Sequence, residues 1–395
     1  MKYDFTTLVD RKNTGSAKWE QMADWNSKVA PDTVPLSIAD MELKNPPEII
    51  EGLKEYLDET ILGYTLPYPS FYKAVVNWQK KRHNWTIEPE WIINTQGVVA
   101  AFYAAIRAFS NKGDGIIVFR PVYYPFLQAI EDNERTEVNV PLIETDGHYT
   151  IDFDAFEEVA AKAENKILIF CSPHNPVGRV WTKEELQKLA EIIIQHDLLL
   201  ISDEIWYDFI MPGHTHTVTT TAHPQLKKQT ITCTAPSKSF NLAGLGLSNI
   251  IIEDPKIRER FRSEIEKVRG DMINIFGFKA CEIAYTKSEA WLDELLTLIK
   301  NNHQVVHDFF QEKFPKIKAP FPEGTYLQWL DFRALALSDE ELEQFLHQEA
   351  EFFTDEGYIF GEEGSGFERI NVALPTDVLK TQLYKLEAAL KQRGY

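Results

Sequence analysis

Three candidate β-strands in the middle of the chain each end in a polar side chain that could do chemistry. Asn175 follows KILIFCSPH, Asp203 follows LLLIS and Lys238 follows QTITCTAPS. In an open parallel sheet the carboxyl ends of the strands form the ligand crevice, so we expect these three side chains to meet at one edge. Because a buried lysine has a lowered pKa, the pattern predicts a nucleophilic amine beside an amide and a carboxylate.

An amine, a carboxylate and an amide together suit pyridoxal phosphate. This cofactor needs a lysine for an imine, an acid that keeps its pyridine nitrogen protonated, and a donor beside its phenolic oxygen. Asp203 is the candidate acid because a nearby carboxylate favours the protonated ring; its structural alternative is a helix cap. For Lys238 the alternative is a solvated surface lysine, but the apolar strand before it and FNLAGLG after it favour burial.

Two further segments could complete such a site. In TQGVVAAFYAAIRAF a glycine stands where a strand candidate passes into a helix, so the backbone N–H groups of Gly97, Val98 and Val99 could face a phosphate. In RPVYYPF, Tyr123 offers a flat ring to stack on the pyridine. The structural alternatives are a glycine needed for close packing and an ordinary core aromatic.

Arg369 is the candidate anchor for a substrate carboxylate. It lies in GSGFERINVAL on a period-two pattern, in which the flanking apolar residues pack and the arginine projects the other way. A guanidinium binds a carboxylate through two parallel hydrogen bonds. The alternative is a surface ion pair with one of the nearby acids Glu362, Glu363 or Glu368.

The elements around these residues alternate between strand and helix, which predicts an α/β fold with a largely parallel sheet. The strand candidates are WIINTQ, GIIVFRPVYY, KILIFCSPHN, LLLISDEIW, QTITCTAPSK and LSNIIIED, and the helix candidates include PPEIIEGLKEYL, PSFYKAVVNWQKKRHN, VVAAFYAAIRAF and KEELQKLAEIIIQH. We expect residues 1–45 to be an arm and loop that joins the small domain, residues 46–285 a large cofactor-binding domain, and residues 286–395 a small α+β domain.

Composition narrows the classes of partner. Forty-one basic residues against sixty acidic ones give a formal charge of -19, which repels nucleic acids and acidic membrane surfaces. The three cysteines, Cys171, Cys233 and Cys281, are far apart and form no metal-ligand cluster with histidines, so we expect buried thiols, a reducing compartment and no metal. No signal core or membrane-spanning run is present, and we expect a cytoplasmic protein.

Taken together, SPHNPVGRVWTKEEL, SDEIW, APSKSFNLAGLG and GSGFERIN resemble the fold-type-I pyridoxal-phosphate enzymes of the class I/II aminotransferase superfamily. LSIADMELKNPPEII, ILGYTLP, TQGVV and RPVYYPF resemble its cystathionine β-lyase branch, which includes a C–S lyase that also modulates a maltose regulon. The resemblance implies a large domain with a mostly parallel mixed sheet between helices and a smaller α+β domain.

The resemblance also implies a role for each matching residue. Lys238 is the Schiff-base lysine, Asp203 the pyridine-nitrogen partner, Asn175 the donor to the phenolic oxygen near the substrate, Tyr123 the stacking ring and Arg369 the carboxylate anchor. Tyr64, in LGYT, matches a tyrosine that reaches the phosphate in the neighbouring subunit, which implies a homodimer with a shared active site.

Three positions depart from the aminotransferase pattern. Trp206 replaces a tyrosine that touches the phenolic oxygen, Gly246 replaces a phosphate-binding arginine, and Ala235 replaces a hydroxyl residue. Phosphate binding therefore depends on backbone N–H groups, Ser237 and Tyr64. The lyase branch often has histidine at the Trp206 position.

The favoured hypothesis is β-elimination from cystathionine or another S-substituted L-cysteine, giving pyruvate, ammonia and a thiol. An aminotransferase acting on an L-amino acid shares the early steps and is the main alternative. A regulatory binding protein that acts through protein contacts is a third hypothesis, and the acidic surface argues against direct contact with DNA.

Overall fold

The centre of the molecule is a seven-stranded mixed sheet, seen in a computed structural model that describes residues 2–270 and 272–395. Its strand order is β1-β9-β8-β7-β6-β2-β3, and only β9 runs against the others. The strands are β1 Ile92–Thr95, β2 Gly115–Val118, β3 Thr136–Asn139, β4 Ile143–Thr145, β5 His148–Thr150, β6 Asn165–Cys171, β7 Leu199–Asp203, β8 Thr230–Thr234, β9 Ser248–Ile251, β10 Leu327–Asp331, β11 Asp355–Glu356 and β12 Phe367–Asn371.

Helices cover both faces of this sheet. The helices of the described residues, including those of the N-terminal and C-terminal parts, are α1 Ala17–Trp25, α2 Pro47–Glu59, α3 Pro69–His83, α4 Val98–Phe109, α5 Tyr124–Asp132, α6 Phe153–Ala160, α7 Lys183–Gln195, α8 Pro236–Ser239, α9 Pro255–Lys267, α10 Ile275–Lys287, α11 Glu289–Lys313, α12 Asp339–Gln344 and α13 Thr376–Gln392. A short π-helix, Phe345–Glu349, continues α12.

The alternation of side chains along β6 shows why both faces are covered. Ile167, Ile169 and Cys171 join the core that contains α4, whereas Leu168 and Phe170 join the core against α6 and α7. Since successive residues of a strand point to opposite faces, a continuous apolar strand requires a helix layer on each side. The apolar runs of the sequence are therefore the central strands of a three-layer structure.

A second sheet follows in the C-terminal part of the chain. Its strand order is β10-β12-β11, and all pairs are antiparallel. The N-terminal segment joins it through backbone hydrogen bonds: Leu36 N–H donates to Phe353 O over 2.8 Å, and Asn371 N–H donates to Leu36 O over 2.8 Å. The arm thus lies directly against the small sheet.

The prediction of an arm and loop over residues 1–45 is wrong in one respect, because Ala17–Trp25 forms a helix. Trp19 and Met22 of this helix are buried and belong to the main core. Their burial stabilises a helix that its mixed, polar sequence does not indicate.

All six strand candidates and all four helix candidates are confirmed, and so is the α/β class with its mostly parallel mixed sheet. β3 was not predicted, because its sequence, TEVN, lies at the sheet edge and lacks an apolar run. Cys171, Cys233 and Cys281 are free and buried, as expected. The domain limits at residues 45 and 285 stay a prediction.

Within residues 2–270 and 272–395, every helix is too short or too polar to span a bilayer.

Candidate active site

The carboxyl ends of β6, β7 and β8 lie side by side and carry the three predicted polar side chains. Asp203 pairs in register with Cys171 on one side and Cys233 on the other. Asn175 lies in the loop after β6, and Lys238 lies in α8, directly after β8. The strand register, together with the short segments that follow β6 and β8, therefore brings the amide, the carboxylate and the amine to one edge, as the sequence predicted.

The Lys238 amine is held at this edge by a backbone carbonyl. Its Nζ donates to Ala39 O over 2.8 Å and lies 5.5 Å from the ring centre of Trp206. Burial, together with the nearby charge of Arg369, lowers the pKa of the amine to about 8. A substantial neutral fraction exists near physiological pH, which is the form that attacks a carbonyl.

Asp203 is a fully buried carboxyl with one oxygen engaged. Its Oδ1 accepts from the Ile205 N–H over 3.2 Å, and the described residues provide no other hydrogen bond to it. Burial raises the pKa of Asp203 to about 7. A protonated ring nitrogen placed against the free oxygen would offset that burial and return the group to its charged form.

Arg369 is buried and oriented by two side chains. Its Nε and Nη2 donate to Asp355 Oδ2 over 3.1 and 2.6 Å, and its Nη1 donates to Asn175 Oδ1 over 2.9 Å. Three of the five guanidinium N–H groups are used, so one remains on each terminal nitrogen. The acid that pairs with Arg369 is thus Asp355, and none of the three acids considered from the sequence does so.

The same hydrogen bond defines the orientation of Asn175. Because its Oδ1 accepts from Arg369, its Nδ2 group is left as a donor, and no residue within the described ranges accepts from it. A buried amide donor at the end of β6 fits an anionic oxygen such as the phenolic oxygen of the predicted cofactor.

A backbone cradle opens at the start of α4. Gly97 precedes the helix with φ 100°, and a Cβ built on it meets nothing within 4 Å. The N–H groups of Val98 and Val99 begin the helix, where such groups have no intrahelical acceptor. This geometry fits a phosphate at a helix N-terminus.

Two other predicted residues belong to the same region. Tyr123 is partly buried and directly precedes α5. Burial raises the pKa of its hydroxyl; the charge of Arg369 lowers this pKa, and that of Asp203 raises it. Ser237 is partly buried beside Lys238 in α8.

Tyr64 is not brought to the site within one chain. It lies between α2 and α3 with 98 % of its surface exposed. Its predicted role requires a second subunit.

The residues at the three departures lie in the segments that follow β7 and β8. Trp206 is buried, and its ring lies edge-on to Tyr326 at 4.6 Å between centres. Ala235 is the fully buried residue that precedes α8. Gly246 has φ 54°, a left-handed conformation that favours glycine over a phosphate-binding arginine.

Sequence reasoning missed the residues that hold the arm against Lys238. Tyr326 Oη donates to Ala39 O over 2.7 Å, so this carbonyl accepts from both Tyr326 and Lys238. Ile38, with φ 49°, donates its N–H to the Asp355 carboxylate over 3.1 Å. A β-branched residue with positive φ is rare, and such strain concentrates at functional sites. The sequence gives no signal for these contacts, because they join the N-terminal arm to residues 287 and 317 positions later in the chain.

These observations meet the requirements of pyridoxal phosphate. The site supplies an amine of lowered pKa, a buried carboxyl with a free oxygen, an unused amide donor and a helix N-terminus with room at Gly97. The residues that would hold the cofactor are Gly97, Val98, Val99, Tyr123, Asn175, Asp203, Ser237 and Lys238.

Comparison with known proteins gives the family. Residues 31–385 match the model for aminotransferase class I and II. Cystathionine beta-lyase PatB of Bacillus subtilis is 38% identical over 98% of this chain and 100% of its own length. Protein MalY of Escherichia coli is 32% identical over 98% of this chain and 99% of its own.

A solved structure agrees over the whole chain. The crystal structure of cystalysin from Treponema denticola, which contains a pyridoxal 5'-phosphate cofactor, superposes with a TM-score of 0.98 and 53% identity, and the match covers 100% of both chains. The fold is therefore the fold-type-I architecture that the motifs predicted. This chain belongs to the aminotransferase class I and II family.

Proposed function

We propose that this protein is a pyridoxal-phosphate-dependent C–S β-lyase that cleaves cystathionine or other S-substituted L-cysteines. The observation that carries the proposal is the Lys238 amine, which lies at the same sheet edge as Asp203 and Asn175, with Arg369 of β12 hydrogen-bonded to Asn175. The relatives named cystathionine beta-lyase PatB and the C–S lyase of Staphylococcus hominis, 32% identical with a TM-score of 0.92, support the reaction type.

Each residue has a distinct task in this reaction. When bound, pyridoxal phosphate supplies an electron-withdrawing ring that stabilises negative charge at the substrate α carbon. Asp203 holds a proton at the pyridine nitrogen, and the Asn175 amide donates to the phenolic oxygen. The two free N–H groups of Arg369 bind the substrate carboxylate.

Lys238 is the base for the α proton, because its lowered pKa leaves a neutral amine near neutral pH. Loss of that proton is followed by breakage of the bond between the β carbon and sulfur, and the thiolate takes a proton from the Lys238 ammonium or from water. The net reaction consumes one water and forms a thiol, pyruvate and ammonium.

We also infer a homodimer with a shared site. Ile61, Leu62, Tyr64 and Leu66 form an exposed apolar segment, which we call the 61–66 segment; their exposed fractions are 89%, 64%, 98% and 82%. Soluble chains rarely expose such a run unless it contacts a partner. Tyr64 of the partner subunit would then reach the phosphate. A cytoplasmic location stays a prediction.

The first test is incubation of the holoenzyme with L-cystathionine in the absence of any keto acid, with pyruvate and free thiol measured together. We expect both products over many turnovers. Lys238→Ala should abolish them, whereas Lys112→Ala, at an exposed lysine paired with Glu134, should leave the rate unchanged.

Other outcomes would point to a different reaction, to a different cofactor or to a role through protein contacts. Product formation only when an amino donor and a keto acid are supplied together would identify an aminotransferase. Failure of the purified protein to develop a visible cofactor absorbance after addition of pyridoxal phosphate would contradict the cofactor assignment. A regulatory effect that survives in Lys238→Ala would support a role through protein contacts.

A further inference from the structure

A second cluster of ligating side chains lies behind the anchor arginine, outside the site described above. Glu343, in α12, and His347, in the π-helix, are four residues apart and therefore on one helix face; Glu356 approaches them from β11. One ligand atom from each of the three lies within 4.8 Å of the others. The sequence analysis predicted no metal site because it considered only cysteines clustered with histidines, and this cluster contains one histidine and two glutamates.

His347 is the observation that distinguishes this cluster from a group of surface acids. The residue is 2 % exposed, and its ring is stacked on Trp25, with 4.4 Å between centres, and against Phe353. Its Nε2 is buried, has no hydrogen-bond partner within the described residues and lies 3.7 Å from Glu356 Oε1. That distance is too long for a hydrogen bond but suits two ligands of one ion.

The strand pairing adds a second buried carboxyl. Glu356 of β11 lies directly opposite Glu368 of β12, and both are largely buried. Like charges opposite each other destabilise a strand pair. In the part of the chain that the structure describes, neither carboxyl has a lysine or arginine within 4 Å, because the nearby Arg369 pairs with Asp355 instead.

We propose that Glu343, His347 and Glu356 form a binding site for a divalent transition-metal ion, Zn²⁺ in the first instance. An imidazole nitrogen with carboxylate oxygens is a zinc donor set, and hard ions such as Mg²⁺ prefer oxygen alone. In a tetrahedral zinc site adjacent ligand atoms are about 3.4 Å apart. The Nε2 to Oε1 distance of 3.7 Å is already close to this, and rotation of the partly exposed Glu343 side chain would close the remainder.

A metal ion at this site would contact the face of β11 opposite to the face that carries Asp355. Asp355 faces Arg369 and the next residue, Glu356, faces Glu368, since side chains alternate along a strand. An ion on Glu356 would thus fix the strand that orients the anchor arginine.

The test is calorimetric titration of chelator-treated holoenzyme with ZnCl₂, together with thermal unfolding with and without Zn²⁺. We expect one Zn²⁺ per chain, a higher unfolding temperature and weaker binding of Mg²⁺. Glu343→Gln should weaken Zn²⁺ binding by at least about tenfold. This variant should fold, because Glu343 is partly exposed and glutamine can still accept from Tyr358 Oη, at 3.0 Å.

A matched control is available on the surface. His148 Nδ1 lies 3.7 Å from Glu323 Oε1, the same separation as in the proposed site, but the His148 side chain is 55% exposed. His148→Gln should leave Zn²⁺ binding unchanged. Absence of stoichiometric binding, or equal Zn²⁺ affinity in Glu343→Gln and the unmodified protein, would overturn the proposal.

Discussion

At the scale of single residues, the site depends on side chains whose surroundings shift their pKa values. The Lys238 amine and the Asp203 carboxyl have pKa values near 8 and 7, far closer together than in free amino acids. Burial is the first cause for both groups. Each is therefore poised to gain or lose a proton in the working range of an enzyme.

The lowered pKa of Lys238 predicts how cofactor capture depends on pH. Only the neutral amine attacks the aldehyde, so its rate should rise about tenfold from pH 7 to pH 9 and then level off. Stopped-flow absorbance of apoenzyme mixed with pyridoxal phosphate would measure this. The same reaction with Nα-acetyl-lysine, which has a free ε-amine, corrects for ionisation of the cofactor itself. A rate that continues to rise beyond pH 10 would contradict the lowered pKa of Lys238.

Tyr326 makes a second testable contribution at this scale. Its hydroxyl donates to the Ala39 carbonyl that also accepts from Lys238, so Tyr326→Phe should loosen the lysine without opening a cavity. We expect kcat for β-elimination to fall roughly fivefold, consistent with loss of one hydrogen bond of about 1 kcal/mol.

Tyr149→Phe is the matched control for this substitution. Tyr149 is also buried, but its hydroxyl accepts from Trp329 Nε1 and has no contact with Lys238. An equal loss of kcat in the two variants would indicate general destabilisation and would reject the positioning role of Tyr326.

At the scale of elements, the junction between β1 and α4 is the proposed phosphate cradle. Gly97 has φ 100°, a region that side-chain-bearing residues rarely adopt. This conformation turns the chain from β1 into α4, whose first N–H groups have no intrahelical acceptor.

Gly97→Ala should therefore weaken cofactor binding even though there is space for the methyl group. The strained backbone costs about 1–3 kcal/mol, and relaxing it would turn the N–H groups away from the phosphate. We expect the dissociation constant of pyridoxal phosphate to rise by about tenfold or more, as measured by equilibrium dialysis.

Gly213→Ala separates this effect from simple loss of stability. Gly213 has φ 98° and equally open space, but it lies in a surface loop. The two variants should lose similar thermal stability, and only Gly97→Ala should lose cofactor affinity. Unchanged affinity in Gly97→Ala would exclude the cradle.

The elements also show what could be predicted from sequence and what could not. Lys238, Asp203 and Asn175 were identified because each follows an apolar run that becomes a buried strand. Asp355 gave no such signal, because β11 has only two residues and its partner, Arg369, is set by register. Residue types reveal local structure, whereas contacts between distant segments depend on how the chain packs.

At the scale of the whole molecule, the 61–66 segment is the apolar surface that a second subunit would cover. Leu66→Glu should place a charge in that contact and dissociate the proposed dimer. Light scattering during gel filtration would show the mass fall by half, and cofactor affinity should fall too, because the phosphate would lose Tyr64 of the partner subunit.

Ile143→Glu provides the comparison, since Ile143 is an exposed residue of β4, away from this segment. It should leave the mass unchanged. A monomeric mass for the unmodified protein would contradict the shared active site.

The reversed strand β9 has a consequence for how the chain folds. Thr234 of β8 pairs with Asn249, only 15 residues later, whereas Thr95 of β1 pairs with Ser248, 153 residues later. Short-range pairings close small loops and form early, and long-range ones form late. Within the seven-stranded sheet, β8 and β9 are the neighbours that close the smallest loop, so we expect the loop that carries Lys238 to be enclosed by the first strands of this sheet to pair. The start of α4 should join it only when the edge strand β1 docks.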